Sequence, residues 1–352
     1  MRIKIFGAGS IGNHMAHAFR TLDFEVSIFD NDIDALERMQ NEIYPERYGG
    51  WDERINLYSS IDSFKGYYDI VVIGTPPSSH LEIALQVINQ KPKALLIEKP
   101  LTYPFDKNLK KFYKIARDSE TRVFVGYNHI VSKSMQKVNE ILNNNLLGKL
   151  FSIDVSFREN WDGIFKAHPW LDGPKESYLG YYKKGGGATS EHSHAINMWQ
   201  HLSRQANRGR IKELSSFIEF KTDNVINYDS ISFLNVLSDD NLFGRIVQDV
   251  VTKPHQKVAE VIGENGSMKW FCNFSQFSDR VVLEKNNCEK ETYEFKKTRK
   301  DDFLDEIKFI LENINQNIIK SDIDLVHGIE TMKVIEAAFI SNKKQKNIII
   351  EY

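Results

Sequence analysis

The chain has 352 residues, enough for two domains, and its composition of 41% hydrophobic and 27% charged residues is that of an ordinary globular protein with a sizeable core. A net charge of −2 provides no global field to draw it onto nucleic acid or an anionic membrane. Apolar runs such as "IVVIG" and "ALLI" are too short to span a bilayer. Two cysteines without a C-x-x-C pattern fit a reducing cytoplasm and no structural zinc.

The N-terminus passes straight into a strand, "RIKIF", with no signal-peptide pattern, which predicts a cytoplasmic protein. "GAGSIG" follows, with Gly7, Gly9 and Gly12, and then a helical spacing of Ile11, Met15, Ala18, Phe19 and Leu22. A second strand, "EVSIFD", ends in Asp30, an acid 18 residues beyond Gly12. Strand, glycine turn, helix, strand and acid together form a dinucleotide-binding fingerprint. Gly7 permits the tight turn, Gly9 lets a pyrophosphate approach the backbone, and Gly12 lets helix and strand pack closely. The helix N-terminus, opened by Ser10 and Ile11, offers N–H groups to phosphate. Asp30 would accept from the ribose hydroxyls and repel a 2′-phosphate, so NAD is expected rather than NADP.

Strands and helices then alternate: "YDIVVIG" and a Pro-rich loop "TPPSSH", the helix "LEIALQVINQ", the strand "KALLIEKP", the helix "NLKKFYKIARDS" and the strand "RVFVGYNH". Near-continuous apolar strands predict a doubly wound parallel sheet covered on both faces. In such sheets ligands bind off the carboxyl ends of the strands. Those ends carry Thr75, Pro76 and His80, then Glu98, Lys99 and Pro100, then Tyr127, Asn128 and His129. Tyr103 and Lys107 make a Y-x-x-x-K pair, but Pro104 between them ill suits a helix, and the pair is read as coincidence.

Beyond residue 126 the pattern turns to strands: "KLFSIDVSFREN", "IKELSSFIEFKT", "YDSISFLNVLS", "NLFGRIVQDVV", "KVAEVIGENGSMKWF", "DRVVLEKN" and "EKETYEFKK", with a turn at "ENG". Two helices and a final strand close the chain. In their midst lies "GGGATSEHSH", residues 185–194, with Glu191, His192 and His194. Its mid-domain place argues against a linker. The offsets among His192, His194 and His201 share no helical face, which argues against a metal. A polar active-site segment remains.

These blocks resemble the Gfo/Idh/MocA oxidoreductases, the glucose–fructose oxidoreductase and inositol dehydrogenase family. "GAGSIG", "TPPSSH", "EKPL", "GYNH", "LLGKL", "GGGATSEHSHAI" and the closing "HGIETMKVIEAAFISNKKQKNIII" carry the likeness along nearly the whole chain. The resemblance implies an α/β protein. A Rossmann doubly wound parallel sheet over 1–125 would bind NAD, and an α/β domain with a large open, mostly antiparallel sheet over 126–352 would bind substrate and pair subunits into a homodimer or homotetramer. It implies Lys99 polarising a substrate hydroxyl, helped by a Lys99–Pro100 bond that can be cis, with His194 as general acid/base and Glu191 orienting it. The cofactor would lie on Gly7, Gly9, Ser10, Ile11, Gly12, Asp30, Thr75, Pro76, His80, Glu98, Lys99 and Asn128.

A subset of the family, similar to enzymes of amino-sugar and surface-carbohydrate pathways, shares the short acid-x-x-His spacing and "HPW". By that likeness Tyr127, Arg158, Trp161, His168, Trp170, Lys175, Tyr178 and Asn197 are expected to line a sugar or sugar nucleotide; aromatics and cations suit such a ligand. Asn197 stands where the subset often has aspartate, and the arginine that usually follows "HPW" is missing. The expected activity is hydride transfer at a secondary alcohol of a sugar, sugar nucleotide or cyclitol. Two alternatives remain open: an oxidation–elimination–reduction glycosidase or isomerase with tightly held NAD, and an NAD-gated regulatory binding protein.

Overall fold

Arg2–Phe6 (β1) is a strand because its β-branched residues suit a pleated, buried surface; Ile3, Ile5 and Phe6 are all inside. It ends at Gly7, whose φ of +102° is a conformation that side chains disfavour. The computed structural model describes every residue except 167–169, 276, 317, 319 and 320. In chain order the helices and strands are Ser10–Thr21 (α1), Glu25–Phe29 (β2), Ile33–Arg38 (α2), Tyr44–Tyr48 (α3), Ile55–Tyr58 (β3), Ile70–Ile73 (β4), Pro77–Val87 (α4), Ala94–Ile97 (β5), Leu109–Arg117 (α5) and Arg122–Val125 (β6). Then come Lys133–Asn143 (α6), Leu150–Arg158 (β7), Asp162–Lys166 (α7), Gly187–Glu191 (α8) and His194–Gln205 (α9). The remainder is Ile211–Thr222 (β8), Asn227–Ser238 (β9), Phe243–Asp249 (β10), Gln256–Gly263 (β11), Gly266–Ser275 (β12), Ser278–Lys285 (β13), Glu291–Lys296 (β14), Arg299–Asn315 (α10), Leu325–Lys344 (α11) and Ile348–Ile349 (β15).

The fold is α/β, with two compact units. The first comprises residues 1–102, 106–128 and 299–325. Its six strands run parallel in the order β3-β2-β1-β4-β5-β6, the order of a dinucleotide-binding sheet. Every residue of β4 and β5 is buried, as a sheet covered on both faces requires. "TPPSSH" is not wholly a loop: Pro76 caps α4 and Pro77 starts it, since proline's fixed φ suits the first helical position. The chain returns at α10, which packs on α1 with the His14 and Phe303 rings stacked 4.5 Å apart.

The second unit comprises residues 103–105, 129–298 and 326–352. Its sheet of nine strands has the order β14-β13-β12-β11-β7-β10-β9-β8-β15; neighbours are antiparallel except β7 and β10. One face is core: Ile153, Val155 and Phe157 of β7, Ala259 of β11 and Trp270 of β12 are buried there. Helix α9 lies on this face, and its Trp199 indole N–H donates to the Ile153 carbonyl at 2.8 Å. The opposite face carries Phe217 directly across from Phe233, with Phe243 nearby on β10; Phe217 and Phe243 are 64% and 66% exposed.

Gly244 makes the seat for α9, because a Cβ there would lie 2.2 Å from Trp199 Nε1 and 2.3 Å from the Ile153 oxygen. Gly244→Ala is therefore expected to destabilise the protein by roughly 1–3 kcal/mol through overpacking. Urea unfolding checks this, and an unchanged midpoint would show that the seat can relax.

Candidate active site

In the first unit the glycine turn is shaped by what cannot be there. A Cβ at Gly12 would stand 2.0 Å from the Gly7 carbonyl oxygen, so α1 can approach β1 this closely only with glycine. At Gly9 nothing lies within 4 Å of a Cβ position, which leaves open space at the helix N-terminus. Gly9 caps α1 without a side-chain hydrogen bond, and no acid stands in the first turn. The first N–H groups and the positive dipole end thus face outward with no carboxylate of their own. Asp30 is held at the end of β2: Oδ2 accepts from the Ala8 amide at 2.8 Å and Oδ1 from the Asp32 amide at 2.9 Å. These residues fit a dinucleotide: an open anion cradle, flanked by a fixed, half-buried carboxylate.

The neighbouring strand ends bring more of the expected residues together. Thr75 is half-buried with its hydroxyl 2.7 Å from that of Ser79, and Pro76 is exposed. The Lys99–Pro100 peptide bond is cis, and Lys99 is half-buried beside the buried Glu98. Asn128 is buried, and its Oδ1 has no partner among the described residues. Tyr127 is fully buried. His80 is fully buried too, with a protein carbonyl at each ring nitrogen. Glu306 of α10 was not anticipated. It is completely buried, neither carboxyl oxygen has a partner among the described residues, and burial with Glu98 and Asp302 nearby raises its carboxyl well above the usual range.

In the second unit the three glycines have separate reasons. Gly185 closes a turn at φ +90°. A Cβ at Gly186 would lie 2.2 Å from the Tyr178 carbonyl oxygen. A Cβ at Gly187 would lie 1.9 Å from Asp229 Oδ1. Asp229 of β9 is the hub: its Oδ2 accepts from the Thr189 amide at 2.6 Å and the Thr189 hydroxyl at 2.7 Å, inside the first turn of α8. Gln248 of β10 holds the other end, donating from Nε2 to the carbonyls of Thr189 at 3.0 Å and His192 at 2.8 Å. Neither residue was anticipated. The available signal was a polar side chain at an inward position of an alternating strand.

Glu191 ends α8 and His194 begins α9, so a break in the helix separates them. Both are half-buried. Glu191 accepts from the Tyr178 hydroxyl at 3.0 Å. The His194 ring lies 4.5 Å from that of His129, whose Nδ1 is 3.8 Å from Cys272 Sγ, and Phe157 is in ring contact with both histidines. His192 is buried; nearby Glu159 pairs with Lys257 at 2.8 Å, and although burial would raise its carboxyl, Lys257, His192 and His255 hold it down to about 2. His201 is also buried and bonded to Asn139 at 2.8 Å, with burial lowering its imidazole to about 3. Among the described residues no group of His, Cys, Asp and Glu is placed to hold a metal ion.

The expected substrate residues are not all gathered here. Arg158 follows Phe157 on β7, so its side chain leaves the opposite sheet face; it pairs with Asp249 at 2.9 Å and sits over the Phe233 ring. Asn197 is fully buried and donates toward Thr331 of α11 at 3.4 Å. Trp161 packs with Leu179, Ala188 and Val250, beneath Tyr178. Trp170 is half-exposed and Lys175 exposed. His168 lies outside the described residues.

Residues 1–127 match the family model GFO_IDH_MocA, described as an oxidoreductase family with an NAD-binding Rossmann fold. Over 177 residues, 49% of this chain, it is 27% identical to a glucose-6-phosphate 3-dehydrogenase of Bacillus subtilis (strain 168); the match spans 46% of that relative, about half its length. Among solved structures it is similar to the WlbA dehydrogenase from Bordetella pertussis in complex with NADH and UDP-GlcNAcA, at TM-score 0.71 and 17% identity over 100% of this chain and 99% of that one. It is also similar to myo-inositol 2-dehydrogenase from Lactobacillus plantarum, at TM-score 0.74 and 17% identity over 100% and 99%. At such identities the structural likeness shows the shared fold. Among the described residues no helix is long and apolar enough to cross a membrane.

Burial pushes the Asp229 carboxyl up from 3.8 to about 6 against the opposing pull of Thr189. A carboxyl whose folded value is raised holds its proton more tightly in the folded state. Its stabilising contribution is then full below about pH 4 and is lost as pH rises through 6. Asp229→Asn keeps an acceptor for Thr189 and carries no charge. It is expected to flatten the fall in stability between pH 4 and 7, by at most about 3 kcal/mol. Thermal melts across that range check this, and an equally steep fall in the variant would rule the charge out.

Proposed function

With its first 127 residues in the Gfo/Idh/MocA oxidoreductase family, we propose that this chain moves a hydride to or from a secondary alcohol of a sugar, sugar nucleotide or cyclitol. The observation that carries this reading is the open cradle at Gly9 beside the fixed Asp30 carboxylate, in the same unit as Lys99. When bound, NAD supplies the hydride acceptor. The residues to hold it are Gly7, Gly9, Ser10, Ile11 and Gly12 at the phosphates and Asp30 at the ribose. Thr75, Pro76, Glu98, Lys99 and Asn128 form the far end of the cofactor site. Asp30 disfavours a 2′-phosphate, which makes NADP the poorer ligand.

Lys99 hydrogen-bonds the reacting hydroxyl and stabilises the negative charge that develops on its oxygen. His194, a half-buried imidazole, takes or returns the hydroxyl proton. Glu191, steadied by Tyr178, accepts from a sugar hydroxyl or orients the imidazole. Sugars and sugar nucleotides are supported as the substrate class by the named activities and ligands of the similar proteins, glucose 6-phosphate, UDP-GlcNAcA and myo-inositol among them. Both cysteines are free thiols, which suits a cytoplasmic enzyme.

Two measurements test the proposal. Purified protein is screened with NAD and NADH against sugar phosphates, UDP-, GDP- and CMP-sugars, free sugars and inositols, following nicotinamide absorbance. With the substrate found, Lys99→Ala is expected to lose at least roughly a hundredfold in kcat; full activity in that variant overturns the mechanism. The exposed aromatic face of the nine-stranded sheet is proposed to pair subunits into a homodimer or homotetramer. Phe217→Asp with Phe243→Asp is expected to give a folded species of lower mass by sedimentation, and an unchanged mass would place the interface elsewhere.

A further inference from the structure

His80 stands in the first turn of α4, with its side chain leaning back toward the helix N-terminus. Nε2 lies 2.7 Å from the carbonyl oxygen of Thr75, in the loop after β4. Nδ1 lies 3.1 Å from the carbonyl oxygen of Pro100, in the turn after β5. The ring is wholly buried, so both nitrogens are spent within the protein and neither is left for a cofactor atom. The carbonyls of Thr75 and Pro100, with the backbone of Leu101 beside them, therefore face one imidazole. Burial lowers this imidazole to about 4 against the pull of the carbonyls, so it carries a single N–H at neutral pH. That hydrogen serves one carbonyl at a time. A change in either loop is felt by the ring and passed to the other loop.

We propose that His80 is a positioning residue that couples the Thr75 loop, on the cofactor side, to the turn that presents Lys99. The inference rests on the reading of Lys99 as the partner of the substrate hydroxyl, and it reassigns His80 from cofactor contact to support. Both loops end neighbouring parallel strands, with Ile70–Ile73 paired to Ala94–Ile97. The strands fix where the loops begin, but not the direction in which the Lys99 side chain leaves its turn. A rigid ring buried between the two carbonyls supplies that constraint.

The two contacts can be separated. Asparagine places its amide nitrogen near the position of Nδ1, and glutamine near that of Nε2. His80→Asn thus keeps a donor for Pro100 and abandons Thr75, whereas His80→Gln does the reverse. Two readouts need no known substrate. One is the acylation rate of Lys99 in the full chain by mass spectrometry, relative to the exposed Lys91. The other is the dissociation constant for NAD by fluorescence titration. His80→Gln is expected to change the Lys99 rate several-fold with little change in NAD affinity, and His80→Asn to weaken NAD several-fold with Lys99 near its wild-type rate. Equal effects of the two variants on both readouts, or no effect, overturn the coupling, since a merely structural histidine would give one of those results. If a variant does not fold, the ring nitrogen-15 spectrum of wild-type His80 reads the same link. Adding NAD is expected to shift both ring nitrogens, and an unchanged spectrum overturns the proposal. With a turnover substrate in hand, His80→Gln is further expected to lose roughly tenfold to a hundredfold in kcat. Should no substrate turn over, the labelling and affinity readouts still decide the role of His80, which separates its failure from failure of the dehydrogenase reading.

Discussion

A carboxylate with nowhere to go organises the second unit. Asp229 is sealed from water on β9, and its carboxyl accepts from the amide and hydroxyl of Thr189. An isolated buried carboxylate is costly, so those bonds and the raised carboxyl pKa are what make the position tenable. For Thr189 to reach it, the chain must pass so close that Gly187 has no room for a side chain. Gln248 then fixes the far end of the same short helix through two carbonyls. Glu191 and His194 are thus set by main-chain anchors on two strands, independently of any contact between their own side chains. A site of this kind can vary its reactive groups while its frame stays constant.

The first unit solves a different problem. There the frame is the sheet itself, and the difficulty lies in bringing loop residues to a common end of it. The turn at Gly7, Gly9 and Gly12 does this by omission, since each missing side chain is a distance gained. The turn at Lys99 does it by support from behind. Buried acids on α10 add a constraint of their own: Glu306 beside Glu98 and Asp302 is tenable only while it keeps its proton.

The sequence disclosed those features whose physics is local. Alternation and β-branching marked most strands of both sheets, and the spacing of glycines and acid marked the nucleotide turn because turn, helix and strand are contiguous. What it concealed was set by distant partners. Asp229 and Gln248 are ordinary polar residues until the fold brings them, from 40 and 59 positions away in sequence, onto the Thr189 they hold. The short helices α2 and α3 and the strand β3 escaped notice because residues 31–58 are too polar for a clear period. Arg158 looked like a ligand for an anion, yet a one-residue step along β7 sends it to the other face, where Asp249 takes its charge. At the break between Glu191 and His194 the His192 carbonyl accepts from Gln248, a partner 56 positions away that no local propensity encodes.

The return of the chain at residues 299–325 bears on how the protein is made. The face of α1 that carries His14 is covered by Phe303, and β6 gains the bond from the Val125 amide to the Ile323 carbonyl, only once the chain has been made as far as residue 323. A nucleotide unit whose six strands are all made by Val125 therefore waits on residues 299–325. Until then the nascent chain carries the six-stranded sheet with one face of α1 bare, while β7 to β14, eight of the nine strands of the other sheet, are complete in sequence by Lys296 and β15 follows only at Ile348–Ile349.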